Sequence, residues 1–263
     1  MNGWLFPPKT REAQLDEKWS FVFKKQEQCD SHNPDDANRG DSWDHVVFDP
    51  ESRLVLVVVP GARDVEAVEE VATELKRRTD PAVLKLVTSD EYPAYETALL
   101  KTFGEKVATT ATGRPSRKMV AEKTPPPGLN YATVEKRREK GRVVEIVTRV
   151  IFGTMAAVQA VLSQSKASRT INTSFLERHN AADRHRNARK VRKTYTFSKD
   201  WHVHEAMTYF TMYSYNFCWP VSTLRERDAT GHWRQRTPAM AAALTDHVWT
   251  MREWVTTPAV QRR

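Results

Sequence analysis

The sequence predicts an α/β protein built on a mixed β-sheet flanked by helices. Three features indicate this class: a strand-like alternation near the N-terminus, two β-branched runs around a turn, and an amphipathic helix followed by a short apolar strand. Antiparallel strands joined by a hairpin, a crossover helix and a parallel strand are the elements of a mixed sheet. The 263 residues are enough for one large domain or two small ones.

The antiparallel part of the sheet is predicted from the first sixty residues. Residues 15–25 (LDEKWSFVFKK) place aromatic residues at every second position, which is the period of a strand. Two β-rich runs, 43–48 and 53–59, surround a turn that contains Asp, Pro and Ser, and so predict a hairpin. The second run is apolar on both faces, as in a covered strand.

A helix, a strand and a second helix follow. Residues 64–78 have apolar side chains at helical spacing, with acidic residues early and basic residues late, which suits the helix dipole. Residues 84–88 predict a short buried strand that ends at Ser89 and Asp90, and residues 93–103 predict the second helix. This order of elements is that of a ribonuclease-H-like sheet.

The middle of the chain gives weaker signals. Residues 113–131 carry Gly, Pro and basic residues and predict a surface loop, residues 143–151 are β-branched, and residues 155–162 suggest a short helix. We interpret 104–169 as an inserted or elaborated region that precedes the last helix of the ribonuclease-H-like domain.

Two further helices are predicted after that region. Residues 172–193 predict one long basic helix, and residues 201–217 predict a helix with aromatic residues near helical spacing. A helical tail over residues 218–263 completes the chain, and residues 1–13 form an N-terminal arm before the ribonuclease-H-like domain of residues 14–217.

Charge is distributed unevenly along the chain. Residues 1–100 hold 12 basic and 20 acidic side chains, whereas residues 166–203 hold 10 basic and 3 acidic ones, within a net charge of +8. The basic segment suggests a polyanionic partner, and a solvated surface is an equally good interpretation of charge alone. Two cysteines, Cys29 and Cys218, exclude a zinc finger or a disulfide scaffold. Without a long apolar run or a signal peptide, we expect a soluble, cytoplasmic protein with no membrane partner.

Three acidic residues lie at positions that suit catalysis. Asp16 opens the first strand, Asp90 closes the strand after the crossover helix, and Glu177 lies in the basic helix. Carboxylates that share a pocket need a cation, and two Mg²⁺ or Mn²⁺ ions about 4 Å apart can clamp the oxygens of a phosphoryl displacement. Each acid taken alone is more often an ordinary surface residue or helix cap. Sequence spacing leaves open whether Asp16 or its neighbour Glu17 faces the pocket. It equally leaves open whether Asp90 or its neighbour Glu91 does.

Three segments resemble the DDE transposases of the insertion sequence one type. LDEKWSFVFKK resembles their first aspartate block, VTSDEYPAY their second, and NTSFLERHNAADRHRNARKVRKTYTFSKD their third, which begins a Glu-Arg-x-Asn signature. The resemblance implies a metal-binding catalytic triad of Asp16, Asp90 and Glu177. Residues 177, 180 and 184 share one face of a helix, so Asn180 and Arg184 would lie beside the glutamate. The residues expected to bind DNA are Arg178, Asn180, Arg184, Arg186, Arg189, Lys190, Arg192 and Lys193.

The chain also departs from that family pattern. Phe23 stands where relatives often carry glycine, and Asp90 and Glu177 are further apart than in compact members. The family places a zinc-binding and helix-turn-helix region before the catalytic domain, yet only 15 residues precede Asp16. We therefore expect the catalytic part alone, from a second reading frame or a truncated copy, with end recognition supplied by a separate protein or frame. Resemblance also leads us to expect a homo-oligomer.

These observations predict a metal-dependent transposase that hydrolyses a phosphodiester at a transposon end and transfers the freed strand to target DNA. Two alternatives remain open. A non-catalytic, truncated copy could bind DNA and inhibit transposition, and a host ribonuclease-H-like nuclease would cleave DNA without joining strands.

Overall fold

The structure, a computed structural model, describes residues 9–106 and 123–257. That part of the chain contains ten strands and seven α-helices. The strands are β1 (Glu12–Val22), β2 (Gly40–Asp49), β3 (Leu54–Gly61), β4 (Leu86–Ser89), β5 (Glu105–Lys106), β6 (Lys123–Thr124), β7 (Asn130–Glu139), β8 (Arg142–Phe152), β9 (Glu226–Arg227) and β10 (Trp233–Arg234). The helices are α1 (Val65–Arg78), α2 (Ala94–Phe103), α3 (Met155–Ser163), α4 (Ser174–Arg186), α5 (Trp201–Cys218), α6 (Pro238–Ala241) and α7 (Met251–Thr256).

Six strands form one mixed sheet in the order β3-β2-β1-β4-β7-β8. The first three strands make an antiparallel meander in which Asp16 lies opposite Val46. β4 pairs in parallel with β1, β7 pairs in parallel with β4, and β8 pairs antiparallel with β7. The predicted α/β class, with a mixed sheet flanked by helices, is confirmed.

Helices cover both faces of the sheet because its strands alternate between two cores. Val46 and Val47 are neighbours in β2 and enter different cores, as expected when successive side chains point to opposite faces. One core packs β1 to β4 against α1 and α2, and the other packs β2 and β3 against α4 and α5. α3 covers Leu86 of β4 with Val158 and Leu162.

The first strand is displaced by three residues from its predicted position. It begins at Glu12, inside the predicted N-terminal arm, and ends at Val22 because Phe23 has φ 64°, in the left-handed region that interrupts a strand. Glycine is the residue that adopts such a φ without strain. The predicted hairpin, the crossover helix, the buried strand and α2 all form with small shifts at their ends.

Residues 104–169 contribute directly to the central sheet. They supply β7 and β8, which extend the sheet beyond β4, and the predicted short helix forms as α3. Most of the loop predicted over 113–131 lies outside the described residues.

The predicted long basic helix is shorter than expected. α4 ends at Arg186, since Asn187 leaves the helical conformation with ψ 94° and its side chain accepts a hydrogen bond from the Arg189 amide. A 3₁₀ turn then spans residues 188–190, and Lys193 has φ 55°. The last four predicted DNA-binding residues therefore do not lie on that helix.

α5 confirms the predicted aromatic helix and is fixed to the sheet by a buried amide. Asn216 donates to the carbonyl of Val55 and accepts from its amide, both at 2.9 Å. The part predicted as a helical tail contains the two-stranded β9–β10 sheet and the short helices α6 and α7. No helix within residues 9–106 and 123–257 is long and apolar enough to cross a membrane.

Candidate metal centre

Alternate residues of β1 connect the sheet to α4. The Gln14 side chain accepts a hydrogen bond from the Leu176 amide at 3.0 Å, and Asn180 donates to Asp16 Oδ2 at 2.9 Å. Lys18, the next residue on this face, bonds to Asp183. Because α4 lies along this face of β1, the carboxylate of Asp16 is directed towards the helix that carries Glu177.

Glu17 points to the other face of the sheet. Its Oε1 lies 3.9 Å from Nε of Arg63, whose guanidinium stacks over the ring of Tyr92. The alternation of a strand explains why neighbouring acids on β1 have different surroundings. Asp16 is therefore the acid that shares a face with Glu177, which the spacing alone had left open.

Asp90 follows β4 directly, and β4 is the parallel neighbour of β1. One carboxylate oxygen from each of Asp16, Glu17 and Asp90 lies within 4.8 Å of the others. Glu91 turns away and pairs with Arg149 at 3.0 Å. The structure thus brings Asp16 and Asp90 together, as their positions in the sequence predict, and adds Glu17 to them.

Burial and nearby negative charge raise the pKa values of all three carboxylates. Burial, with the nearby charges of Asp90 and Glu177, raises the pKa of Asp16 to about 6, although Asn180 lowers it. Burial and the charge of Asp90 raise the pKa of Glu17 to about 7, and burial raises that of Asp90 as well. A bound cation would relieve this repulsion.

The donor set fits a hard divalent cation. Carboxylate oxygens are the ligands that Mg²⁺ and Mn²⁺ prefer. Oε1 of Glu17, 3.9 Å from Nε of Arg63, is buried and accepts no hydrogen bond from the described residues. These three residues could hold one metal ion.

Glu177 lies beside this group but outside it. It occupies the first turn of α4, where its Oε1 accepts a hydrogen bond from Thr173 Oγ1 at 2.5 Å and another from Lys136 of β7. Burial raises the pKa of Glu177, but the bonds from Lys136 and Thr173 outweigh it, so the pKa lies below its usual value. The charge of Glu177 nevertheless raises the pKa of both Asp16 and Asp90, which means that the three predicted acids are coupled.

The predicted DNA-binding residues on α4 have different surroundings. Asn180 is buried and orients Asp16, while Arg184 is half-buried and donates to the carbonyl of Trp19 at 3.3 Å. Arg186 stacks on Tyr215, with its guanidinium carbon 4.3 Å from the ring centre. Arg178 is exposed on the same helix.

The residues after α4 also divide into two groups. Arg192 and Lys193 are exposed and Arg189 is half-buried. Lys190 is fully buried, with its ammonium 2.5 Å from both oxygens of Asp44. This position corrects the expectation that Lys190 is available to DNA, because its charge neutralises a buried aspartate of β2.

Lys190 belongs to a buried group of four charges. Lys18 lies 3.2 Å from Asp44 and also bonds to Asp183 of α4, so two lysines balance two aspartates. The two ammonium groups outweigh the effect of burial and lower the pKa of Asp44 to about 2. This group, the buried ion cluster, joins β1, β2, α4 and the turn after α4.

The sequence did not single out Lys136, Arg63 or Thr173, all of which touch the acidic residues of the site. Thr173 had a usable signal, since it directly precedes α4 and a residue at that position often bonds to the first helical turn. Lys136 and Arg63 act through tertiary contacts with residues 41 and 46 positions away. The chain matches no protein-family model and no curated protein at a significant level of similarity.

Proposed function

We propose that this protein is a divalent-metal-dependent enzyme that cleaves and joins DNA strands, of the DDE transposase type that its motifs resemble. The observation that carries the proposal is the meeting of Asp16 and Asp90 at neighbouring parallel strands, on the side of the sheet where α4 presents Glu177. An antiparallel meander that continues into parallel strands β4 and β7 is compatible with a ribonuclease-H-like fold. The intact acids favour an enzyme over a binding protein.

Asp16, Asp90 and Glu177 would hold the metal ions, with Glu17 as a further ligand from the opposite face of β1. When bound, Mg²⁺ or Mn²⁺ supplies an activated oxygen nucleophile and stabilises charge on the transferred phosphate. Asn180 fixes the orientation of Asp16, and Thr173 does the same for Glu177. Arg63 offsets part of the negative charge on Glu17.

A strand-cleavage assay tests the proposal. Purified protein is incubated with labelled DNA that contains the transposon end, in Mg²⁺ or Mn²⁺, and both nicked and joined products are measured. We expect both products, and we expect Asp90→Asn to abolish them. Asp80→Asn is the matched control, because Asp80 is an exposed residue after α1 whose side chain caps a turn.

Each result separates the alternatives. Nicking that persists in Asp90→Asn refutes the assignment of the site. Nicking without joining indicates a host nuclease, and DNA binding without cleavage under any metal indicates the non-catalytic copy.

One observation favours the non-catalytic alternative. The carboxylate of Glu177 is bonded to Lys136 and lies outside the group formed by Asp16, Glu17 and Asp90. In an active site, a metal ion must compete with that ammonium for Glu177. If Lys136 excludes the metal ion from Glu177, the protein binds DNA without cutting it.

Measurement of Mn²⁺ affinity in a double-mutant cycle tests this competition. Lys136→Met removes the competitor, and an ammonium beside a partly exposed carboxylate contributes up to about 1 kcal/mol, or about fivefold in affinity. If Glu177 binds the metal, the gain is larger in the wild-type background than in Glu177→Gln. An equal gain in both backgrounds excludes Glu177 as a ligand and supports the non-catalytic copy.

A further inference from the structure

The β7–β8 hairpin extends beyond the helices that cover the sheet. Residues 137–146 are exposed on both strands and through the turn, whereas the start of β7 is buried. The exposed residues include β-branched side chains, with Val144 and Ile146 retaining 55% and 59% of their accessible surface. An arm with both faces in solvent is available to a partner.

The two faces of this arm differ in charge. Lys136 and Arg138 are two residues apart on β7 and therefore share one face, which we call the site face. Their strand partners, Ile146 and Val143, lie opposite them on the same face because the register of β8 shifts between these two pairs. Arg137 lies opposite Glu145 on the other face.

The charged side chains on the other face of the arm neutralise one another. Arg137 pairs with Glu135 and Glu145, and Arg149 pairs with Glu91 and Glu135. Every cation in this network has an acidic neighbour, so the face offers little net charge to a polyanion.

The site face carries the cations Lys136 and Arg138, and it is turned towards the candidate metal centre. Lys136 contacts Glu177 on α4, and the charge of Arg138 also acts on Glu177. Arg138 has no ion-pair partner within the described part of the chain. Residues two apart on a strand are about 6.6 Å apart, so Lys136 and Arg138 form a short row of cations that leads away from the carboxylates.

We infer that the site face of the β7–β8 hairpin holds the sugar–phosphate backbone of the DNA strand that enters the carboxylate site. This inference rests on the proposed function, because it takes that strand to be the substrate. Arg138 contacts phosphate, and Val143 and Ile146 pack against the sugars. Such contacts fix the position of a strand and do not read its sequence.

A salt titration of DNA binding tests the role of the arm without any catalysis. Affinity for a short duplex of arbitrary sequence is measured by fluorescence anisotropy, in EDTA, over a range of salt concentrations. The logarithm of the DNA-binding constant falls linearly with the logarithm of the salt concentration. Loss of one phosphate contact makes this fall shallower by about 0.9 and weakens binding about eightfold at about 0.1 M salt. We expect both changes in Arg138→Gln.

Arg137→Gln is the matched control, because it removes the same charge from the next residue, on the face that is already neutralised. We expect its salt slope to equal that of the wild type. Thermal unfolding of both variants checks that the fold is kept, as both side chains are exposed.

The outcomes distinguish the two proposals. Equal salt slopes for Arg138→Gln and Arg137→Gln overturn the inference, even if the wild type cleaves DNA. A salt slope that is shallower in Arg138→Gln but unchanged in Arg137→Gln supports the inference, even if the protein does not cleave DNA with any metal ion. The arm could instead pair two copies of the chain. In that case Ile146→Lys would turn a dimer into a monomer in sedimentation velocity, and the two arginine variants would bind DNA alike. This result also overturns the inference.

Discussion

Replacing Lys190 with methionine tests whether the basic residues after α4 serve the fold or the DNA. The ammonium of Lys190 is fully buried and contacts both oxygens of Asp44 at 2.5 Å. Methionine fills a similar volume without the charge. The variant leaves the buried ion cluster with one lysine, Lys18, between two aspartates.

The cost of this change follows from the remaining contacts. Removing one partner of a buried ion pair typically costs about 3–5 kcal/mol, because the other charge stays buried and uncompensated. Lys18 still lies 3.2 Å from Asp44, so we expect the lower end of that range, about 3 kcal/mol. For a domain of this size the melting temperature should fall by about 6–12 °C.

Thermal unfolding and DNA binding are measured on the same samples, with Arg192→Met as the exposed control. We expect Lys190→Met to lose stability and Arg192→Met to stay within about 0.5 kcal/mol of the wild type. If Lys190→Met unfolds like the wild type and binds DNA more weakly, Lys190 contacts phosphate at the surface, and its assignment to the buried ion cluster is wrong.

Three further predictions concern the site, the first strand and α5. Without metal, the contribution of Asp16 and Glu17 to stability should fall as pH rises from about 4 to 7, because folding raises the pKa of Asp16 to about 6 and that of Glu17 to about 7, so both side chains hold their protons more tightly than in the unfolded chain. Mn²⁺ should therefore raise the melting temperature more at pH 8 than at pH 5, and an equal gain at both would argue against binding by these carboxylates. Phe23→Gly should be more stable than Phe23→Ala by about 1 kcal/mol in denaturant unfolding, since only glycine adopts φ 64° without strain; equal stabilities would contradict that backbone conformation. Asn216→Leu should cost about 3 kcal/mol, because it leaves the buried amide and carbonyl of Val55 without partners; a loss below about 1 kcal/mol would contradict those contacts.

The sequence predicted the elements whose periodicity is set by a buried face. β1 to α2 were assigned because each of them contributes apolar side chains to a core at a regular spacing. The same assignment predicts that the carboxylates of Asp16 and Asp90 lie close together, since it places the two residues on neighbouring strands.

Other features depend on contacts that no local pattern carries. β7 was not predicted, because the hairpin is exposed on both faces beyond residue 136 and its sequence therefore reads as a run of charges. The end of α4 lacks the glycine or proline that most clearly marks a helix stop. Asn187 is a weaker form of that signal, and the sequence prediction does not use it. The burial of Lys190 depends on Asp44, which lies 146 residues earlier in the chain.

The polar seam between β1 and α4 explains how the fold positions Glu177. Three successive side chains on one face of β1 bond to α4, at Leu176, Asn180 and Asp183. Spacings of four and three residues match the helical repeat, so one strand face meets one helix face along its length. A shift of one residue moves a helix by about 1.5 Å and rotates it by about 100°. Here such a shift would leave buried polar groups without partners, including the charge of Lys18, and would turn Glu177 away from Asp16. The bonds that attach α4 to the sheet therefore also fix its third acid relative to the first.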